Sequence, residues 1–307
     1  MSEGQDTQTC GFAAVIGPSN AGKSTLINRL VGAKVSITSR KLQTTRNQLR
    51  GIFVHGQSQV ILVDTPGIFA ETRRRLDRSM VDAAWQSALE ADMIVLMLDA
   101  KRAPDTQDHL ELIDRLAAMR NADTRCVLVL NKIDKIKHDL LLPRIEAYNK
   151  RMAFDATYLI SALKDEGIEE LRDDLTTHMP VSPWHYDPEM ISDASLRMLA
   201  AEVTREKVYD RLHQEIPYAV AVHTDNWDEP DDGKMAVVIH QTIYVMRNSQ
   251  RGIVIGKQGQ TLKEIGKQAR YELEDMLDKR VHLDLHVKVK SDWDERPAFF
   301  EALGLEY

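Results

Sequence analysis

Nine residues in a row, Gly17-Pro18-Ser19-Asn20-Ala21-Gly22-Lys23-Ser24-Thr25, satisfy the spacing G-x-x-x-x-G-K-[ST] in full. Their chemistry is that of a phosphate cradle. Glycines let the backbone curl so that successive N–H groups point at phosphate oxygens. Lys23 can reach the outer phosphates, and the Ser24 hydroxyl can ligate Mg²⁺. Such a loop needs a strand to enter it and a helix to leave it. Residues 12–16 form a continuous apolar run, and Leu26, Ile27 and Leu30 follow with helical spacing. A helix opening at this point adds the positive end of its dipole. The stretch reads as a nucleoside triphosphate site.

Three later stretches could complete it, each at the end of an apolar run. Residues 60–63 lead into Asp64-Thr65-Pro66-Gly67. An acid there can hold the Mg²⁺ shell, and the Gly67 N–H can bond a γ-phosphate. Residues 126–130 lead into Asn131-Lys132-Ile133-Asp134. The Asp134 carboxylate can accept two hydrogen bonds from the N1–H and N2–H₂ edge of guanine. Adenine has no such donor pair, and a buried acid left unpaired is costly. Asn131 and Lys132 would brace the loop and pack along the ring. Residues 158–160 lead into Ser161-Ala162-Leu163-Lys164, whose backbone can close over the base. Each tetrapeptide alone reads equally well as an ordinary turn; their order behind a phosphate loop points to GTP or GDP with Mg²⁺.

The elements that must carry these residues alternate. Strand-like runs at 60–63, 93–98, 126–130 and 158–160 are separated by helical patterns at 76–89, 106–119, 140–151 and 168–178. That alternation predicts a mostly parallel sheet with helices on both faces, an α/β class in which ligands lie beyond the carboxyl ends of strands. With 307 residues there is room for a second domain, and 43% hydrophobic residues suffice for two cores. The pattern stops near Pro180, Pro183 and Pro188, so 1–180 is expected as the nucleotide domain, 181–190 as an extended linker and 191–307 as the second domain. Only Cys10 and Cys126 occur, which excludes a disulfide framework and fits a cytoplasmic protein. No signal-peptide pattern opens the chain, and no apolar run is long enough to cross a bilayer.

Past the prolines a helix pattern runs from Ile191 to about Gln214, with Leu196, Leu199, Val203, Val208 and Leu212 on one face. Strands are expected at 218–222 and 235–246, joined as a hairpin by the acidic loop 225–232. Then comes Ile255-Gly256-Lys257-Gln258-Gly259, a G-x-x-G turn opening an amphipathic helix to about Leu277, and a last alternating strand at 281–289. A turn without side-chain bulk lets a nucleic-acid backbone approach, with Lys257 and the helix start attracting it. The net charge of −7 hides a local surplus, since residues 247–290 hold ten Lys/Arg against six Asp/Glu.

The four phosphate and base motifs, in this order, resemble the translation-factor-like GTPases over residues 10–178. The second half resembles a type II KH domain, an α+β fold. Their succession, with 36–46 reading Ser-Ile-Thr-Ser-Arg-Lys-Leu-Gln-Thr-Thr-Arg and the ending Lys288-Val289-Lys290-Ser291-Asp292-Trp293, is similar throughout to the Era GTPases. The resemblance implies a GTP hydrolase that binds 16S ribosomal RNA near its 3′ end, assists 30S subunit maturation and uses hydrolysis to switch binding. It implies Lys23, Thr45, Gly67 and Asn20 as catalytic and Ser24, Thr45 and Asp64 as metal ligands, with Thr44 the alternative to Thr45. Asn20 resembles a residue that helps hold K⁺ in some GTPases, which predicts K⁺-stimulated turnover. Ile68 stands where many relatives carry a water-orienting Gln, so slow intrinsic hydrolysis is expected. Pro18-Ser19 and Ala21 depart from the family's phosphate loop without removing a required N–H. On the KH side, Ile255, Gly256, Lys257, Gln258, Gly259, Lys263, Lys267 and Arg270 are implied as RNA contacts.

The basic run from Arg73 to Arg78 reads as a solvated helix start or, in the alternative, an RNA contact. Two rival classes remain. A GTP-regulated RNA-modifying or metabolic enzyme would need a second catalytic constellation, but His213, His223, His240, His282 and His286 lack metal-ligand spacing. A peripheral membrane scaffold would need a basic amphipathic helix, whereas 296–303 is acidic. The expectation is a cytoplasmic monomer that does not bind DNA, with weak association with the cytoplasmic face of the inner membrane as the alternative.

Overall fold

A computed structural model describes residues 7–37, 49–67, 75–121, 123–212, 220–230, 236–291 and 293. Among these, 7–36, 49–67 and 75–193 form one compact unit, and 194–293 belong to a second.

The first unit is a six-stranded sheet in the order β2-β3-β1-β4-β5-β6. Its strands are β1 (Thr9–Ile16), β2 (Leu49–His55), β3 (Ser58–Asp64), β4 (Met93–Asp99), β5 (Arg125–Asn131) and β6 (Ala156–Ile160). All pairs are parallel except β2 with β3. Strands β1, β4 and β5 are apolar without alternation because both faces are covered. In β1 and β4, Ala13, Val15, Val95 and Met97 enter one core layer with Leu26 of α1 (Lys23–Val31) and Leu171 of α5 (Ile168–Thr177). Their neighbours Ala14, Ile16, Ile94 and Leu96 enter the opposite layer. That layer holds Trp85 of α2 (Arg75–Glu90), Leu112 of α3 (Gln107–Met119) and Tyr148 of α4 (Leu141–Asn149). Successive strand residues face opposite sides, so one apolar run feeds two cores.

Two features differ from expectation. Strand β2 has no counterpart among the expected elements; it joins β3 through a two-residue turn in which Gly56 has φ 60°. The stretch expected as an extended linker is extended but paired, strapped along the sheet edge. Val181 bridges to Thr9 and Ser192 to Gly51, and Ile52 N–H donates to Ile191 O at 2.9 Å. The fully buried Gln59 holds the strap's middle. Its Oε1 accepts from the N–H groups of His185 and Tyr186 at 2.9 and 3.0 Å, and its Nε2 donates to Tyr186 O at 2.9 Å. Three prolines prevent helix here, but an extended chain can still pair with an edge.

The second unit runs α6 (Leu196–Arg211), β7 (Val220–Asp228), β8 (Val237–Val245), α7 (Asn248–Ile255), α8 (Gln260–Leu277) and β9 (Val281–Val289). Its sheet is β7-β8-β9, antiparallel then parallel. Helix α6 begins at Leu196, not Ile191, because Ser195 caps it by accepting from Met198 N–H. Strand β7 continues through Asp225–Asp228, residues expected in a loop; Asp225 lies at a register shift, and the Thr242 hydroxyl donates to its carboxylate at 2.5 Å. No described helix is long and apolar enough to cross a membrane.

Candidate nucleotide site and nucleic-acid turn

Register assembles the first site. Pairing of β1 with β3 sets Val15 beside Asp64, β4 with β5 sets Asp99 beside Asn131, and β5 with β6 sets Asn131 beside Ile160. The four motifs therefore meet at the carboxyl edge of one sheet.

Residues 17–22 curl between β1 and α1. Gly22 has φ 107°, and a Cβ there would lie 2.2 Å from Asn131 Nδ2, so only glycine fits. No side chain caps the start of α1, which leaves its first N–H groups directed into the loop. Lys23 Nζ donates to the carbonyls of Gly17 and Pro18 at 3.0 and 3.1 Å. Burial draws its pKa down to about 8, while Asp64 pulls the other way. The buried Ser19 hydroxyl has no hydrogen-bond partner among the described residues, as a donor meant for a phosphate oxygen would. Gly67 packs against it, since a Cβ on Gly67 would come within 2.3 Å of Ser19 Oγ. Asp64 is fully buried, and Ser24 Oγ donates to its Oδ2 at 3.0 Å. A hydroxyl and a carboxylate this close are the oxygen donors that suit Mg²⁺. Thr65 donates to Val15 O at 2.7 Å and fixes the strand end beside the loop.

Asn131 joins the two ends of the site. Its Nδ2 donates to Ala21 O at 2.7 Å, and its Oδ1 accepts from Ala162 N–H at 3.0 Å. Lys132, at φ 69°, donates to Asn20 O at 2.5 Å and Asp99 Oδ2 at 2.8 Å. Asp134 accepts from Ser161 Oγ at 2.9 Å and pairs with Lys135 at 3.2 Å. Burial alone would raise its pKa; the Ser161 hydroxyl and Lys135 ammonium outweigh that and hold it below the ordinary carboxylate range. It stays an acceptor.

Four residues escaped the sequence reading. Asp99 orients Lys132. Arg29 of α1 donates to the carbonyls of Ala162 and Leu163 at 3.3 Å each, tying the base loop to the phosphate helix. Ser36 reaches the Asp64 carboxylate and Asn28 grips Ser36, as argued below. Their signals are non-local, and only Asp99, at the end of the apolar run 93–98, could have been found by asking what each strand end carries. Thr44, Thr45, Ile68, Arg73, Arg74 and residues 296–303 lie outside the described residues.

In the second unit, Gly256 (φ 74°) and Gly259 (φ 77°) bracket Lys257 and Gln258, the latter at φ 52°. A Cβ on Gly256 would strike Thr261 Oγ1 at 2.1 Å, whereas one on Gly259 would meet nothing within 4 Å. The turn is thus tight on its inner side and open on its outer side. Lys257, Lys263 and Lys267 are exposed, Arg270 and Ile255 half-buried. Tyr271, 53% exposed, has Arg270 and Lys267 over its ring at 5.0 and 5.8 Å, an aromatic contact that charge counting overlooked.

Fold and site define a class, a P-loop GTPase domain followed by a KH domain. A family model described as a 50S ribosome-binding GTPase matches residues 12–132, and a KH-domain model matches 215–294. GTPase Era of Bradyrhizobium sp. (strain ORS 278) is 48% identical over 99% of this chain and 97% of its own length. GTPase Era of Agrobacterium fabrum is 49% identical over 97% and 92%. The chain belongs to the Era GTPase family, and it is a GTP hydrolase that binds GTP and GDP. Among solved structures, a variant of Aquifex aeolicus Era bound to GDP·AlF4⁻ superposes with a TM-score of 0.89 at 38% identity, covering 97% of this chain and 99% of that one. Era in complex with MgGDPNP and nucleotides 1506–1542 of 16S ribosomal RNA matches equally, with a TM-score of 0.89 and 38% identity over 97% of this chain.

Proposed function

We propose that this chain binds 16S ribosomal RNA near its 3′ end through the Gly256–Gly259 turn and helix α8, assists 30S subunit maturation, and uses GTP hydrolysis to release its hold. The observation that carries this is an outwardly open, basic G-x-x-G turn in a chain whose other unit is a guanine-nucleotide site. The relative solved with a 16S fragment aligns over both units, whereas the model described by 50S binding covers the nucleotide unit alone, so the small-subunit reading is preferred. Backbone N–H groups of 17–25, with Lys23, would hold the phosphates. Ser24, Asp64 and Thr45 would hold Mg²⁺, which offsets charge developing on the phosphoryl oxygens. Asn131, Lys132, Asp134 and 161–163 would hold the base. Lys257, Lys263, Lys267 and Arg270 would take RNA phosphates. Equal RNA affinity with GDP, a non-hydrolysable GTP analogue and no nucleotide would refute the coupling.

Gly259→Asp places a carboxylate where the turn is open, in the path of an incoming phosphate. Binding of a 16S 3′-end oligonucleotide is expected to weaken by about tenfold or more while GTP turnover is unchanged, as filter binding and phosphate release would show. Undiminished binding would remove the turn from the RNA site.

The exposed Asn20, in left-handed backbone (φ 62°) at the loop's mouth, supports a K⁺ contact. Single-turnover hydrolysis is expected to run faster in KCl than in NaCl, and Asn20→Ala is expected to erase the difference. We read the protein as a cytoplasmic monomer. Liposome co-sedimentation tests the alternative of weak membrane association.

A further inference from the structure

Ser24 and Asn28 stand one turn apart on α1 and share a face. From Asn28, Nδ2 donates to Ser36 O at 2.7 Å, and Oδ1 accepts from the N–H groups of Val35 and Ser36 at 2.9 Å each. The Ser36 hydroxyl, held by that grip, donates to Asp64 Oδ2. This is the oxygen that also accepts from Ser24 Oγ at 3.0 Å. The contacts close a ring from α1 through Asp64, Ser36 and Asn28 back to α1. Ser36 and Asp64 are 2% and 0% exposed, so water does not compete for these bonds.

We propose that Asn28 and Ser36 are positioning residues for the divalent cation, with Asn28 presenting the Ser36 hydroxyl so that it fixes the Asp64 carboxylate beside Ser24. The proposal rests on reading Ser24 and Asp64 as the Mg²⁺ pair, and adds residues that touch neither metal nor nucleotide. Two donors on one carboxylate oxygen remove its torsional freedom, and such outer partners typically govern metal affinity by about 10–100-fold. A carboxylate held by Ser24 alone could turn away from the cation.

The test is a Mg²⁺ titration of fluorescent GDP release from the full chain, with GDP affinity also measured in EDTA. Ser36→Ala and Asn28→Ala are each expected to raise the Mg²⁺ midpoint by about tenfold or more, with metal-free GDP affinity unchanged. Ser36→Thr, which keeps the hydroxyl, is expected to restore the midpoint. The double alanine variant is expected to add little to either single one, because both open the same ring. Should Asn28→Ala not fold, Asn28→Asp, which keeps the Oδ1 acceptor, replaces it and is expected to shift the midpoint less than Ser36→Ala. A midpoint within about twofold of wild type in Ser36→Ala, or a Thr variant as impaired as Ala, overturns the proposal, whatever happens to Tm. Ser24→Ala separates the two levels. If it too leaves the midpoint in place, the Mg²⁺ pair itself is misassigned and the proposal falls with it; if it moves the midpoint while Ser36→Ala does not, only the ring's role is lost.

Discussion

Asp134→Asn is expected to lower affinity for GTP and GDP by roughly 10³-fold and to raise affinity for xanthine nucleotides in the same protein. The side chain of Asp134 is 3% exposed, seated between the Ser161 hydroxyl at 2.9 Å and Lys135 at 3.2 Å. Both neighbours favour the ionised form, so at neutral pH it has only acceptors to offer. Guanine presents two donors on one edge, and a carboxylate meets both. The carboxamide that replaces it turns one acceptor into a donor, which sets a buried N–H against a buried N–H. Xanthine carries a carbonyl where guanine carries the amine, so the same change suits it. Competition of GTP, XTP and ATP against a fluorescent nucleotide measures all three. Unaltered preference for guanine in the variant would place base recognition elsewhere. A uniform loss without gain for xanthine would mean that the loop had collapsed, and retention of the Asn131 bonds to Ala21 and Ala162 would then need checking by structure.

What could be read from residues alone follows the range of the interactions. The phosphate loop is local: its glycines, lysine and helix start are contiguous, so spacing defines it. The parallel order was also legible, because runs such as 126–130 are apolar throughout and only a doubly covered strand needs that. Strand β2 was not. Leu49-Arg50-Gly51-Ile52-Phe53-Val54-His55 mixes polar and apolar residues without clean alternation, and its partner β3 is defined by register. The strap illustrates the same limit. Prolines announce a break in helix, but nothing local to 181–193 says that Gln59 will satisfy the backbone of His185 and Tyr186. In the site, Asp134 and Asn131 declare themselves by strand-end position. Asn28 and Ser36 look like ordinary surface polar residues until the fold brings Asp64, many residues downstream, against Ser36, which Asn28 grips. Side chains that act on backbone or on other side chains across the fold leave no periodic trace. Acidic composition misled once, since Asp225 to Asp228 read as a loop although cross-strand bonds to Thr242 and the pairing with Val238 hold them in β7.

The helix layer packed on β4 and β5 sets the second large effect, which is on stability. His109 of α3 is fully buried; its Nδ1 lies 2.8 Å from the Tyr148 hydroxyl of α4, and its Nε2 has no hydrogen-bond partner among the described residues. Burial, with Arg102 assisting, lowers its pKa from 6.5 to about 4. An unfolded chain takes up this proton as pH falls through 6.5, whereas the folded chain does so only near 4. His109 is therefore neutral in both states above 6.5 and costs nothing there. Between 6.5 and 4 the unfolded state alone gains the proton, and folding free energy is lost steadily, to a limit of roughly 3 kcal/mol below pH 4. The depressed Asp134 carboxyl also loses stability as pH falls, but its window opens only below the ordinary carboxylate value of 3.8, so the two windows separate. His109→Gln, which keeps a partner for Tyr148 without a titratable ring, is expected to flatten urea-unfolding stability between pH 6.5 and 4.5. Its effect at pH 7.5 is expected to be small. If the wild-type and Gln variants lose stability in parallel over that interval, another group accounts for the acid limb. The same titration predicts a functional echo. Helices α3 and α4 pack on β4 and β5, whose ends carry Asp99 and Asn131, so loosening of that layer in acid is expected to weaken GDP retention before global unfolding, and less so in the Gln variant.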